Sequence, residues 1–465
     1  MDRYHFERRQ RERTMESIWS RDVKMPEFPT VTSDMKVEVL VIGGGMAGLL
    51  CGYFLKEQGV RYALIEKNTA AGGVTKNTTA KLTFHHGPIY SKLLKEFGQE
   101  KAAAYLAANS RALEEYRALA AEIPCDFVEK DNWIYSMGNH KAILDEVSAV
   151  DRLGGKAFYM ERMEIPLKAA CAVRTPEQGQ FHPLKFAAAI SRGQNIFEHS
   201  FAGDIHKERY GYQVKVMNQL GRDIKINADR VIVATHFPYI DRWGMYFMKM
   251  HQQRSYVLAL ENPDGTKPQA LGGMYIGIGS EEENPLNLSF RTFGNYLLLG
   301  GGGGRTGKKQ AAWEELKQQG RKLYPKARTA AAWAAQDCMT LDDVPYIGPY
   351  AKGKDGLLVA TGFNKWGMTG AMTAALALTG RMDSSLTEVF KPQRTSLRPQ
   401  LALNFFETGK NFLRPTAPRC THLGCALKWN SQEKTWDCPC HGSRFEEGGA
   451  VIDNPAQVDL KKRAF

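Results

Sequence analysis

The chain has no long uninterrupted apolar run. The longest, Val37 to Leu55, contains Glu38 and five glycines, so it reads as strand, turn and helix and not as a membrane span, which takes about 20 apolar residues. Cysteine is sparse outside one place. Of eight cysteines, four fall between Cys420 and Cys440, and Cys51, Cys125, Cys171 and Cys338 lie singly in apolar or helical context. That scatter excludes a disulfide framework and suits small buried residues. Neither sign of charge is gathered into a run: the net +12 is spread over 465 residues. No nucleic-acid motif accompanies it, so the reading is a solvated basic surface, which favours an acidic electron-transfer partner or an anionic substrate. The first residues are Arg-rich but also acidic, with no apolar stretch close behind. No signal peptide is expected there, and the expected location is cytoplasmic. Also missing are a Ser-His-Asp grouping, a catalytic carboxylate pair and a second GxGxxG unit in mid-chain.

What remains is ordinary globular composition, 43% hydrophobic and 24% charged, enough for two or three domains. Val37 to Ile42 is a β-rich run that ends in Gly43-Gly-Gly45-Met46-Ala47-Gly48, and an apolar, helix-compatible stretch follows to Glu57. A second strand, Tyr62 to Glu66, comes after Gly59. Gly43 permits the tight turn, Gly45 lets backbone approach a pyrophosphate, and Gly48 lets helix pack on strand. The helix N-terminus, at Met46 and Ala47, stabilises phosphate charge. Glu66 lies eighteen residues past Gly48, where a carboxylate accepts from ribose hydroxyls. A dinucleotide site is the reading.

The carboxy end carries a different chemistry. Cys420-Thr-His422-Leu-Gly-Cys425 is followed, after fifteen residues beyond His422, by Cys438-Pro-Cys440-His441-Gly-Ser443. Each half offers a thiolate and an imidazole at close spacing, and each has one further cysteine. Two Cys and two His divided in this way can hold a [2Fe–2S] cluster, thiolates on one iron and imidazoles on the other. A Cys2His2 zinc site needs the same ligand types, but zinc spacing usually puts two to four residues between paired cysteines and three to five between paired histidines, and this pattern fits that poorly.

The tail resembles the Rieske iron–sulfur family. The resemblance implies Cys420, His422, Cys438 and His441 as metal ligands and a disulfide between Cys425 and Cys440. It also implies a Ser443 hydroxyl that donates to a cluster sulfide. Phe445 stands where high-potential members have tyrosine; it cannot donate to a ligand sulfur, which implies a lower potential. The strands that usually precede the first cluster loop are missing, so the module is expected to lean on the rest of the protein.

From about Val37 to Arg381 the chain resembles the D-amino-acid-oxidase family. Lys67 follows the ribose acid, and Gly72-Gly73-Val-Thr75 resembles the loop that runs along the FAD diphosphate there. Ala228 to His236 resembles the strand that returns to the cofactor, and Asn195 to Ala202 the strand that passes the adenine. Gly356 to Gly362 and then Gly367-Met368-Thr369 resemble the carboxy-terminal flavin segment. The implied fold class is α/β: a Rossmann-like FAD-binding domain with a mixed-sheet substrate domain, plus a small all-β Rieske-like module. The implied plan is an amino-terminal extension (1–35) and an oxidoreductase body (36–385, with FAD-binding parts at 36–90 and 340–385). A linker (386–414) and the Rieske module (415–465) follow. Lys81, His85, His86, Tyr256, Arg291 and Trp366 are candidates to line the substrate pocket; capping, packing or a solvated face is the competing reading for each. Gly302 to Lys309 imitates a P-loop, but Lys309 lacks the hydroxyl that Mg²⁺ requires.

The functional expectation is a flavoprotein that oxidises a small amine or amino acid by hydride transfer to FAD. Electrons then pass singly through the cluster to an external acceptor, so a dehydrogenase is expected before an oxidase. The alternative is a flavin and iron–sulfur electron-transfer reductase with no small organic substrate.

Overall fold

Met35–Ile42 is apolar on both faces at its carboxy end, where Val39, Leu40 and Val41 are fully enclosed. A strand of that kind belongs at the centre of a parallel sheet covered on both sides. It pairs in parallel with Tyr62–Ile65 on one edge and Asp223–Val233 on the other. Leu357–Thr361 and Ile196–Phe197 extend the parallel order outward. Helices Met46–Glu57 and Gly367–Leu378 pack on each other over this sheet. The computed structural model describes residues 16–240, 242–279, 284, 286–308, 312–394 and 418–460.

A second, mixed sheet stands beside the first. Its Met250–Glu261 strand runs antiparallel to both Arg328–Thr340 and Tyr296–Arg305. Successive side chains on a strand point to opposite faces, and the two faces meet different partners. Val257, Ala259 and Trp333 belong to the core shared with the parallel-sheet layer. Tyr256, Leu258, Leu260 and Ala334 belong to an outer core with Trp313 and Leu316 of the helix Trp313–Leu323. The helix expected between Pro88 and Ile123 is Tyr90–Glu122, interrupted at Gly98 (φ 81°, ψ 172°).

The third sheet is small and antiparallel: Lys428–Asn430, Thr435–Asp437, Arg444–Glu446 and Val451–Asp453. Its core gathers Cys420, Cys425, Cys438, Cys440, Leu427, Phe445 and Ala456. An α/β body with a small all-β module is therefore the architecture, as the residues implied. Among the described residues no helix is long and apolar enough to cross a membrane.

Three further stretches behave as part of the body. Trp19, in the amino-terminal segment, is fully buried, and its Nε1 donates to Thr78 O at 2.8 Å. Of the stretch expected as a linker, residues 386–394 are described; Val389 and Phe390 are buried, and Arg394 makes a bidentate pair with Asp342 at 2.7 and 2.8 Å. Residues 395–414, like Lys309, lie outside the described residues. Of the glycines that imitate a P-loop, Gly302, Gly303 and Gly304 are part of the strand Tyr296–Arg305, and Gly307 follows in a turn.

Candidate functional site

The glycine turn at the end of Met35–Ile42 divides into closed and open positions. A Cβ on Gly48 would lie 1.9 Å from Gly43 O, and one on Gly43 (φ +111°) would lie 2.5 Å from Ala234 O. These two residues are glycine because backbone crosses backbone. A Cβ on Gly45, by contrast, meets only Thr75 Oγ1 at 3.6 Å, and those on Gly73 and Gly367 meet nothing within 4 Å. Side chains at these three positions would enter free space beside two helix N-termini, Met46–Glu57 and Gly367–Leu378. That is the cradle a dinucleotide diphosphate and ring system need. Gly362 is closed: its Cβ would lie 2.3 Å from Thr340 Cγ2.

Glu66 takes the amides of Gly44 and Asn68, at 2.7 and 2.8 Å. Burial pushes its carboxyl up and the two amides oppose this. Each carboxylate oxygen keeps a further acceptor site, so contact with a ribose is compatible with these bonds. Thr75 Oγ1 accepts from Met46 N at 3.0 Å, which ties the second glycine loop to the first helix. Lys67 lies over the Phe201 ring at 5.7 Å. With Ala202 it lines a cleft of about 920 Å³ that continues past Tyr239 and Arg242 to Gln457 and Val458 of the module. Thr369 Oγ1 bonds Thr83 O at 2.9 Å, and Met368 O accepts from Tyr116.

The substrate-pocket candidates separate. His85 is fully buried and both ring nitrogens are engaged, Nδ1 by Thr175 at 2.7 Å and Nε2 by Glu146 at 2.9 Å. Glu146 also accepts from Tyr90 N and Ser91 N, so the pair anchors the start of the helix Tyr90–Glu122. His86 bonds Tyr105 Oη and Thr83 O, both at 2.7 Å, and stacks on Trp366 at 5.0 Å. Burial pulls it down to about 3, so it is neutral. Arg291 is enclosed; its Nη1 holds the carbonyls of Thr79 and Ala80, and its guanidinium lies over Trp19. Tyr256 faces away from this region. Period-two alternation puts it on the outer core, edge-on to Trp313 at 4.8 Å.

Lys81 differs from these, being half-buried with no ion pair among the described residues. It sits deep in the protein yet keeps accessible surface, and burial, with Arg291 adding to it, lowers its ammonium to about 7. Two residues not singled out from the sequence share that character. Asp337, on the inner face of Arg328–Thr340, is pushed up to about 7 by burial, with Lys365 opposing. Lys365 is lowered by burial, with Asp337 opposing, although its side chain is accessible. A Cβ on Gly303 would lie 2.8 Å from Lys365 Nζ and 2.9 Å from Ser255 Oγ. The glycine-rich strand is bare where Lys365 covers it. A signal existed for both residues: Lys365 lies between Gly362 and Gly367, and Gln336-Asp337 interrupts an Ala-rich strand.

The four tail cysteines converge. Cys420 and Cys425 bound a tight turn closed by Cys420 N to Cys425 O, and Cys438 begins a second turn closed by Gly442 N to Cys438 O. The Sγ atoms of Cys425, Cys438 and Cys440 lie within 4.8 Å of one another. Hydrogen bonds among the four sulfurs dominate their acidities, lowering Cys425 and Cys438 and raising Cys420 and Cys440. The Cys425 and Cys440 thiols are adjacent but not joined. The rings of His422 and His441 meet edge-on, 5.0 Å apart. His441 Nδ1 is buried without a hydrogen-bond partner, which fits a nitrogen meant for a metal. Ser443 accepts from Ala456 N and hydrogen-bonds Cys420. Sulfur and imidazole donors thus face one small volume, and the residues present fit an iron–sulfur cluster.

The comparisons agree with this geometry. The family model described as FAD dependent oxidoreductase matches residues 38–381, and that of the Rieske [2Fe-2S] domain matches 391–463. The chain is 31% identical over 504 residues to the putative Rieske 2Fe-2S iron-sulfur protein YhfW of Bacillus subtilis, across 96% of this chain and 97% of that protein. Over 42 residues, 9% of this chain and 24% of the other, it is 50% identical to a cytochrome b6-f complex iron-sulfur subunit of Nostoc. Glycine oxidase from Geobacillus kaustophilus superposes with a TM-score of 0.61 at 20% identity, over 78% of this chain and 99% of that one. L-proline dehydrogenase from P. horikoshii gives 0.62 at 17%, over 78% and 98%. At such identities these two structures speak for the fold.

Proposed function

The chain belongs to the FAD dependent oxidoreductase family and carries a Rieske [2Fe-2S] domain at its carboxy end, and from that premise we propose that it oxidises a small amine or amino acid and delivers the electrons one at a time to an external acceptor. Bound FAD supplies the two-electron chemistry and the cluster the one-electron step. The observation that carries the proposal is the position of the module. It docks on one face of the strands Met250–Glu261 and Arg328–Thr340, whose other face bears Ser255 and Asp337 beside Lys365.

In this reading Gly43, Gly45, Gly48 and Gly73 with Met46, Ala47 and Thr75 receive the diphosphate. Glu66, Lys67 and Ala202 serve the adenosine end, and Gly362, Gly367, Met368 and Thr369 the ring end. Cys420, His422, Cys438 and His441 hold the irons. Cys425 and Cys440 are the pair that closes into a disulfide. Lys365 and Lys81 are the cations that greet an anionic group on the substrate. Asp337 in its charged form holds or accepts the proton of an ammonium. Trp366, stacked on neutral His86, gives the pocket an apolar wall. Glycine oxidase and L-proline dehydrogenase, which share the fold, are named for amino acids, and this supports the substrate class.

The test is an anaerobic titration of purified protein with a panel of amines and amino acids, followed by absorbance and low-temperature EPR. Bleaching of the flavin and then the signal of a reduced cluster is the expected result. Indifference to the whole panel, with bleaching by NAD(P)H or a reduced ferredoxin, would replace the proposal by a reductase without an organic substrate.

A further inference from the structure

The second cluster loop, Cys438 to Gly442, gives its outward carbonyls to the body and to nothing else in the module. Arg305 Nε donates to Pro439 O at 3.1 Å and its Nη2 to Cys440 O at 2.8 Å. Gln252 Nε2 donates to His441 O at 2.8 Å, and Gln336 Nε2 to Gly442 O at 2.8 Å. Four consecutive carbonyls of the loop that bears Cys438 and His441 are thus held by three side chains of the oxidoreductase body. The two glutamines are themselves joined, Gln336 Nε2 to Gln252 Oε1 at 2.9 Å, and Thr306 Oγ1 fixes the far end of Gln336 at 3.1 Å. The glutamines lie in a buried seam, with Gln252 at 1% exposure and Gln336 at 3%, and Arg305 is half-buried.

The seam is tight enough to exclude a swinging module. A Cβ on Gly442 (φ +88°) would lie 2.5 Å from Gln252 Cβ, and one on Gly307 (φ +71°) would lie 2.7 Å from Pro439 N. Asn454 of the module donates to Thr235 O and Phe237 O, in the loop that follows the strand Asp223–Val233. His441 is buried, with the Phe247 ring edge-on at 5.8 Å, whereas His422 is half-buried at the outer side. The cluster therefore has one histidine turned to the body and one towards solvent.

We propose that Arg305, Gln252 and Gln336 are positioning residues for electron transfer from flavin to cluster, and that the Arg305 guanidinium also raises the cluster's reduction potential. The inference rests on the reading that FAD and the cluster exchange electrons within one chain. Each transfer moves one electron, and a two-electron-reduced flavin is emptied by two transfers, with its N5 proton released to solvent and the cluster discharged in between by a one-electron acceptor. The gain of an electron makes the cluster more negative, and a fixed guanidinium beside it stabilises that state. The polar amides hold the loop so that His441 stays against the body. Phe445 removes one hydrogen bond that would raise the potential, and Arg305 acts in the opposite sense.

The experiment reduces the bound flavin with light and a sacrificial donor, without any substrate, and follows the cluster by absorbance and EPR. In the native protein the cluster should be reduced at a rate independent of protein concentration; a rate proportional to concentration would overturn the proposal. Gln252→Met/Gln336→Met should keep the EPR signature of an assembled cluster and slow that rate, because the carbonyls of His441 and Gly442 both lose their donors. Arg305→Met should lower the cluster's midpoint potential, and Arg305→Lys should restore it because the charge returns. Native rates in the double variant together with a native potential in Arg305→Met would sink the idea. Since no amine takes part, failure of the amine panel leaves this test intact.

Discussion

The module and the region of Lys81, Asp337 and Lys365 in the body treat charge in opposite ways. In the module every buried charge is answered. Glu433, 3% exposed at its side chain, takes both Arg254 of the body at 2.7 Å and Arg444 at 2.8 Å. Arg444 also meets Asp437 and Asp453, each at 3.1 Å. In the body, half-buried Lys81 and Asp337 and accessible Lys365 share no ion pair among the described residues, and desolvation moves all three towards neutrality. A closed network is what a rigid carrier of a metal group needs, because breaking one partner leaves an uncompensated charge. Groups left without an ion partner are what a site needs whose partner arrives with the ligand.

The comparison breaks most visibly at Gly45. Gly45→Val should leave the fold intact, since its Cβ has only an ordinary contact with Thr75, yet abolish FAD binding by filling the space for the pyrophosphate. Full flavin occupancy with a native melting temperature would show that the open side of the body is not the cofactor cradle. Next in size is Glu433→Gln, which leaves two buried guanidiniums around a neutral amide. We expect a loss of about 3–5 kcal/mol, typical of a broken buried pair, read by denaturant unfolding followed through the cluster's absorbance. Undocking of the module before the flavin domain melts would sharpen the contrast, and an unchanged midpoint would remove it.

The smallest effect is a pH slope. Burial pushes the folded Asp337 carboxyl up to about 7, from an ordinary value of 3.8. The stability it contributes is fully present below about 3.8 and is lost as pH rises through 7. In flavin-free protein, Asp337→Asn should therefore be stabilised relative to the parent more at pH 8 than at pH 5. Equal differences in melting temperature at the two values would show that Asp337 is not held neutral by its surroundings.

Legibility followed the range of the interactions involved. The glycine turn at Gly43 to Gly48 and the ligand pattern at Cys420 to His441 are short-range devices. Each residue type is demanded by a neighbour a few positions away, so spacing alone revealed them. His85 and His86 were readable as polar residues near the flavin loop, but not as partners of Glu146, Thr175 and Tyr105, which come from distant elements. For Tyr256 the sequence left both pocket and packing open; which face it took depended on the register with Arg328–Thr340. Gln252, Gln336 and Arg305 had no local signature at all.

The α/β body with its small β module was implied by family resemblance; taken alone, the order of residues determined the local chemistry, a dinucleotide-binding turn and a mixed sulfur and imidazole ligand set. Those follow from local sterics, hydrophobic periodicity and the donor chemistry of neighbouring side chains. Tertiary structure decided where that chemistry sits. It set the cluster loop against the body, turned Ser255 and Asp337 to the opposite face of the same strands, and gathered Glu433, Asp437 and Asp453 around Arg444. These outcomes depend on contacts between residues far apart in the chain, and only the packed sheets bring such residues within hydrogen-bonding distance.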